Sequence, residues 1–333
     1  MEATHTLARA DGTILHYRVW RRGAPRRLLV LLHGLASNLT RWSELVAHTA
    51  LKDDWDILRL DLRGHAGSHD RGRIGMDEWC ADLSAVLASE ARGDVEPGRF
   101  PLRPPTVLSD LADPATTEPG RFPLRPPTVL SDLADPATVV LVGHCLGANI
   151  AGEFAHREPG KVAGLVLIEP MFAEALRGGP RRAAALRSLI VPAVWAIRAL
   201  NALGLHRRRI RPMDLEALDR ETRAAMATGA GEALMADYAS PWADLASTPT
   251  AAYLQSLVAL SRGLPDLAGV RVPVLALLST GGAFGDPAVT ERRLARLPRC
   301  RIVRLEARHW IPTERPAEMR RAIEAWCREL AGP

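Results

Sequence analysis

One stretch constrains this chain more than any other: Thr138-Val-Val-Leu-Val-Gly143-His144-Cys145-Leu146-Gly147. An apolar run enters a pentapeptide with glycine at both ends, and the small residues Ala148-Asn-Ile-Ala-Gly-Glu-Phe-Ala155 follow at once. That order reads as a buried strand, a sharp turn and a helix. Glycines two residues either side of Cys145 let the backbone take a strained bend. The bend lifts the central side chain clear at the top of a sheet, beside a helix N-terminus.

Other segments follow a definite order. Leu28-Leu-Val-Leu-Leu32 is a short apolar run, read as a buried strand, and it ends in His33-Gly34-Leu35-Ala36. Asp56-Ile-Leu-Arg-Leu-Asp61 gives another strand running into Leu62-Arg63-Gly64-His65-Ala66-Gly67-Ser68. Near the C-terminus, Arg301-Ile-Val-Arg-Leu-Glu306 leads into Ala307-Arg308-His309-Trp310-Ile311-Pro312 and then Glu314-Arg315-Pro316.

Together these segments resemble the α/β-hydrolase superfamily. The pentapeptide is similar to its G-x-S-x-G turn with a thiol in place of the serine, and the segment at His33 resembles its oxyanion loop. The stretch from Asp61 is close to D-x-R-G-x-G-x-S, with Ala66 where a glycine is usual, and the segment around His309 resembles the loop of the catalytic histidine. The resemblance covers residues from about 10 to 331, interrupted by two insertions. It implies an α/β fold, a mostly parallel central sheet flanked by helices, with a helical cap inserted after the sixth strand. The core is then residues 1–170 and 269–333, and the cap residues 171–268.

The first insertion is a duplication. Glu96 to Thr116 recurs unchanged as Glu118 to Thr138, with Thr117 between the copies. Two identical copies fall short of a repeat array. They read as a tandem duplication in a surface loop over 96–138, the second copy making the connection into the strand before Cys145. The second insertion separates the strand Val162–Ile168 from the strand Val272–Leu278. Helices are expected around Ala183 to Leu203, Asp214 to Met226, Glu232 to Tyr238 and Thr250 to Arg262. The stretch Leu186 to Leu205 is apolar, but Arg187, Pro192, Arg198 and Asn201 argue against a membrane span. It is expected to pack over the site, with Trp195 or Ile197 lining an apolar pocket.

The resemblance also implies roles. Cys145 is the expected nucleophile and His309 the base that takes its proton. A helix N-terminus and an imidazole partner both lower a thiol's pKa, so a thiolate is chemically reasonable at neutral pH. Two carboxylates compete for the third position. Glu169 follows the strand ending at Ile168, where some relatives, certain haloalkane dehalogenases among them, carry the acid. Asp286 follows the next strand, where the acid is more usual, but it comes late. Glu169 is preferred and Asp286 stays open. Backbone N–H groups of Leu35 and Leu146 are the expected oxyanion donors, and His33 and Gly34 are expected against the substrate.

Composition narrows the alternatives. With 333 residues and 47% hydrophobic content, the chain can bury one large core and a subdomain. The net charge of +5 comes almost wholly from arginine, Lys52 and Lys161 being the two lysines, and the basic residues are spread out apart from His206-Arg-Arg-Arg-Ile-Arg211. No nucleic-acid-binding motif accompanies that charge. Cys80, Cys145, Cys300 and Cys327 are widely spaced without a C-x-x-C pair, so neither a disulfide framework nor a zinc site is expected. No cofactor is expected, and the N-terminus lacks a basic segment followed by an apolar one, which points to the cytoplasm.

A thiol nucleophile makes a thioester, which passes its acyl group to amines, thiols and carbanions as well as to water. The expected function is therefore cysteine-dependent cleavage or transfer of an acyl group from an ester, thioester or lactone. The substrate is expected to be small and hydrophobic, of the secondary-metabolite kind, with a carrier protein or CoA as a conceivable handle. An acyltransferase or cyclase that excludes water, and an inactive hydrolase fold that only binds, are the alternatives.

Overall fold

A computed structural model describes residues 2–21, 27–70, 72–92, 139–207, 210–211, 213–228 and 240–331. The duplicated segment at 96–138 and the helix expected at Glu232 to Tyr238 lie outside the described residues.

Eight strands form one sheet in the order β1-β2-β4-β3-β5-β6-β7-β8. They are β1 Glu2–Ala8, β2 Ile14–Trp20, β3 Leu28–Leu32, β4 Asp56–Leu60, β5 Val139–His144, β6 Gly164–Ile168, β7 Val274–Ser279 and β8 Cys300–Leu305. β1 and β2 form an antiparallel hairpin, β2 joins β4 antiparallel, and every pairing from β4 through β8 is parallel. The hairpin has its own signal in the alternation of Leu15, Tyr17 and Val19, all buried, with exposed Ile14 before them.

Strand period two divides the apolar side chains between two cores. Leu32, Leu141, Leu165, Leu167 and Ala276 point to one face, under helices α2 (Met76–Arg92) and α3 (Leu146–Arg157). Leu29, Leu31, Val140, Val142, Val166 and Leu277 point to the other, under α1 (Ser43–His48) and the C-terminal helix Pro316–Ala331. The strands from β3 to β7 are buried on both faces, which is why they read as continuous apolar runs rather than alternating ones.

Between β6 and β7 the described elements are helical: α4 Gly178–Ala185, α5 Arg187–Ala202, α6 Leu215–Ala227, α7 Pro241–Ser247 and α8 Thr250–Ser261. The single helix expected from Ala183 to Leu203 is instead two, α4 and α5, bent by 82° at Leu186. A further helix, α7, stands outside the expected four; its seven residues carry proline at the first position, a favoured helix start, but are too few for a periodic pattern. No single described helix is long and apolar enough to cross a membrane.

After β7 come α9 (Pro287–Leu294), β8, the short α10 (Ile311–Glu314) and the C-terminal α11 (Pro316–Ala331). Buried polar contacts tie the inserted helices to the core. The Asn38 side chain donates to Met213 O at 2.7 Å, and buried Arg41 pairs with Asp219 of α6 and bonds Thr313 of α10.

Candidate active site

The site assembles at the C-terminal ends of β3, β5, β6 and β8, where the sheet's order reverses: β4 lies on one side of β3 and β5 on the other. Helices leave opposite faces at such a point and open a crevice between them.

Cys145 occupies the turn between β5 and α3 with φ 53° and ψ −111°. Its amide donates to Ile168 O at 2.9 Å, and its carbonyl accepts from Ala148 and Asn149 at 3.1 Å, so the bend is held from both sides. The flanking glycines are sterically required. A Cβ on Gly143 would lie 2.2 Å from Gly147 O, and one on Gly147 would lie 2.2 Å from Leu32 O. Leu146, as the first residue of α3, has an N–H without an intrahelical acceptor.

Glu169 also sits in the left-handed region, at φ 52°. Its amide bonds Leu277 O at 3.0 Å, its Oε1 accepts the Ser279 amide at 2.5 Å, and its Oε2 lies 3.1 Å from His309 Nδ1. The loop that holds it is clamped by Asn149, fully buried in the first turn of α3, which exchanges hydrogen bonds with the backbone of Met171 at 2.9 and 3.0 Å. Asp286, the alternative carboxylate, is engaged elsewhere. It caps α9 by accepting the amides of Ala288 and Val289 at 3.0 and 3.2 Å, and it pairs with Arg177. Its late position in the sequence is that of a helix cap.

His309 is 2% exposed and borders the same cavity as Cys145. Burial pushes its pKa down, but hydrogen bonding and charge from Cys145 and Glu169 raise it more, to about 10. Its loop is fastened by Glu314, part of the segment around His309, whose role is visible only in the folded loop. The Glu314 carboxylate accepts the successive amides of Arg308, His309 and Trp310, at 2.9, 3.2 and 2.9 Å. Phe284 packs edge-on against the His309 ring at 4.8 Å between centroids. An acid five residues after a histidine carries no periodic signal, and this one became visible only with the loop closed.

His144 is buried and neutral, its pKa held well below the ordinary value by desolvation first and then by the charge on His309. Its Nε2 lies 3.1 Å from the His309 carbonyl oxygen and therefore donates to it. His33 does not line the cavity, contrary to its expected place against the substrate. It is fully buried beneath the loop after β3, where Nε2 accepts the Leu62 amide at 3.0 Å and Nδ1 donates to Gly34 O at 2.8 Å. Burial holds its pKa near 4, so that neutral tautomer persists and fixes the loop. Gly34, Leu35 and Ala36 do border the cavity.

That cavity measures about 470 Å³ and is mostly apolar in its lining. Leu186, at the bend between α4 and α5, and Ile190 of α5 contribute to its wall, and Trp195 and Ile197 do not. Ile190 is in the first turn of α5, and Ile197 lies seven residues on, about 10 Å further along the axis. Trp195 is 66% exposed on the other side of that helix. Asp244 of α7 and Tyr253 of α8 add polar groups to the wall. Cys80, Cys300 and Cys327 are away from the cavity, and burial pushes their thiols up to about 12, 11 and 12.

The turn at Cys145, the strand order and the loop at His309 describe one class of protein, and comparison agrees. Residues 29–322 match the alpha/beta hydrolase family, so the chain belongs to that family. Among solved structures, an esterase from Thermogutta terrifontis superposes with a TM-score of 0.63 at 18% identity over 100% of both chains. A hydrolase from Pseudomonas aeruginosa gives 0.60 at 19% identity, over 97% of this chain and 98% of the other. The enol-lactonase from Burkholderia xenovorans gives 0.57 at 19%, over 95% and 97%. At such identities the likeness is one of fold. No curated protein matches the sequence.

Proposed function

We propose that this hydrolase-family member cleaves or transfers an acyl group through a thioester on Cys145, with His309 as proton carrier and Glu169 as the acid that orients it. The supporting observation is that Cys145 and His309 face one cavity while Glu169 stands 3.1 Å from His309 Nδ1. The raised pKa of His309 fits a resting imidazolium opposite a thiolate.

In this mechanism the thiolate attacks the carbonyl carbon of an ester, thioester or lactone. The developing oxyanion is met by the amides of Leu35 and Leu146. His309 gives its Nε2 proton to the leaving oxygen or sulfur, that bond breaks, and the acyl group remains on Cys145 Sγ. Water, giving a proton to His309, then attacks the thioester, and the C–S bond breaks to release the acid and restore the thiolate–imidazolium pair. Glu169 keeps Nδ1 protonated and the ring oriented throughout.

The apolar lining favours a hydrophobic acyl group. It also favours acyl transfer or cyclisation, because the same thioester persists longer where water is scarce. A carrier-protein or CoA thioester belongs among the donors of this reading. Intact-protein mass spectrometry after incubation with activated acyl esters tests the proposal. An added acyl mass on the wild type and none on Cys145→Ala is expected. Full turnover by Cys145→Ala would overturn it, and absence of any adduct or turnover across a broad ester panel would favour a binding protein.

A further inference from the structure

The inserted helices carry a feature that acyl chemistry does not use. Between Glu174 and Asp214 the sequence has nine arginines and no aspartate or glutamate. Arg181, Arg182, Arg187, Arg207 and Arg211 are exposed, and Arg177 reaches outside the stretch to pair with Asp286. The rest of that charge has no acid in its own segment to offset it.

The same stretch presents large apolar side chains to solvent. Leu186, Leu189, Trp195, Leu200, Leu203 and Leu205 are between 46% and 76% exposed. On α5, exposed Leu189, Ala193, Ala196 and Leu200 recur at spacings of four, three and four, and exposed Leu203 follows three residues beyond Leu200. This is one stripe of a helix. The inward-turned stripe, Ile190, Val194, Ile197 and Asn201, lies about a quarter turn round the helix from it, and exposed Pro192, Ala199 and Trp195 continue the outward arc on the other side. A surface helix of a soluble domain ordinarily turns polar residues outward; here the outward arc is apolar apart from Ser188, and Arg187 and Arg198 stand at its far edge, beyond Trp195. Arg198 sits 5.4 Å from the centre of the Trp195 ring, an arrangement that keeps a cation beside an exposed aromatic.

This surface adjoins the cavity. Leu186 is 51% exposed and also lines the wall, and Trp242, 81% exposed, lies between the wall residues Pro241 and Ala243. With 16 residues, α5 is about 24 Å long, short of a span, and the 82° bend at Leu186 breaks its continuity with α4. An apolar outward face with arginines along one edge, on a helix too short to cross, is the pattern of a helix lying in a membrane interface.

We propose that this face docks on the surface of an anionic phospholipid bilayer. The leucines and Trp195 enter the boundary between headgroups and acyl chains, the arginines meet phosphates, and the cavity mouth at Leu186 opens toward the lipid. An acidic protein would satisfy the charge alone. The exposed apolar face of α5, with Leu189, Trp195 and Leu200 on it, favours lipid.

Docking needs no turnover, so it stands or falls apart from the acyl mechanism, and Cys145→Ala should bind like the wild type. The test is co-sedimentation with vesicles of phosphatidylcholine alone and of phosphatidylcholine mixed with phosphatidylglycerol. Binding to the mixed vesicles is expected, weakening with added salt. The triple change Leu189→Ser, Leu200→Ser and Leu203→Ser should lower it roughly tenfold or more. Arg181→Glu with Arg187→Glu should lower it by a similar factor, about fivefold per basic residue removed, for the mixed vesicles alone. Both variants should keep the far-ultraviolet circular dichroism and any short soluble-ester turnover of the wild type. Failure of the wild type to bind mixed vesicles at low ionic strength overturns the proposal. So does unchanged binding by both variants, or binding to an acidic acyl carrier protein with none to vesicles.

Discussion

Glu169 Oε2 and His309 Nδ1 lie 3.1 Å apart although 140 residues separate them in the chain. Three local structures make that contact possible. Glu169 is turned by a left-handed backbone and held by the Ser279 amide, Asn149 fixes the loop behind it, and Glu314 gathers the three amides around His309. The partner of the histidine therefore comes from the end of β6 and not from the loop after β7.

Glu169→Gln should lower kcat by about 10²-fold or more while leaving the fold intact, because a neutral amide no longer stabilises the imidazolium. Asp286→Asn should leave kcat within about twofold, since asparagine still caps α9. Steady-state kinetics on one ester compares them. A large loss from Asp286→Asn with none from Glu169→Gln would reverse the assignment.

The His309 ring should stay protonated well above neutral pH, because hydrogen bonds and charge from Cys145 and Glu169 outweigh burial and raise its pKa to about 10. An NMR pH titration of the ring should show the imidazolium retained at about pH 8, and Glu169→Gln should bring its midpoint down. A wild-type midpoint at the ordinary histidine value of about 6.5 would contradict a resting imidazolium.

The turn glycines are expected to be intolerant for steric reasons. Gly143→Ala or Gly147→Ala puts a Cβ 2.2 Å from a carbonyl oxygen, and soluble folded protein should be lost or nearly so. Gly160→Ala is the control. Unlike those two it has positive φ, but a Cβ there meets nothing within 4 Å, so the change should cost only about 1–2 kcal/mol, read by urea denaturation.

Asp244 supplies a pH dependence of stability. Burial raises its carboxyl to about 7, only partly countered by its hydrogen bond with Tyr253. Between the usual carboxylate range and about 7 the folded protein holds a proton that the unfolded chain has lost, so this group makes stability fall as pH rises through that window and level off above it. Asp244→Asn should remove the decline, bringing the denaturation midpoints at pH 5 and pH 8 closer together than in the wild type. An identical pH dependence in both proteins would rule Asp244 out as its source.

What the sequence determined by itself is local. The apolar runs from β3 to β7 announce the strands because burial on both faces of a parallel sheet demands them. Gly143 and Gly147 announce the turn at Cys145 because only glycine fits there, and His309 is recognisable from the motif around it. What tertiary structure decided is which distant groups meet. Asp286 and Glu169 are both acids after strands, and nothing near either residue shows that one caps a helix while the other turns toward His309. Glu314 binds the histidine loop through backbone amides, which leave no mark in a sequence. Trp195 and Ile197 are as apolar as Leu186 and Ile190, yet the bend at Leu186 brings the second pair to the cavity and directs the first away. Propensity and periodicity follow from neighbours along the chain, whereas a carboxylate's partner and a pocket's wall depend on how separate elements pack.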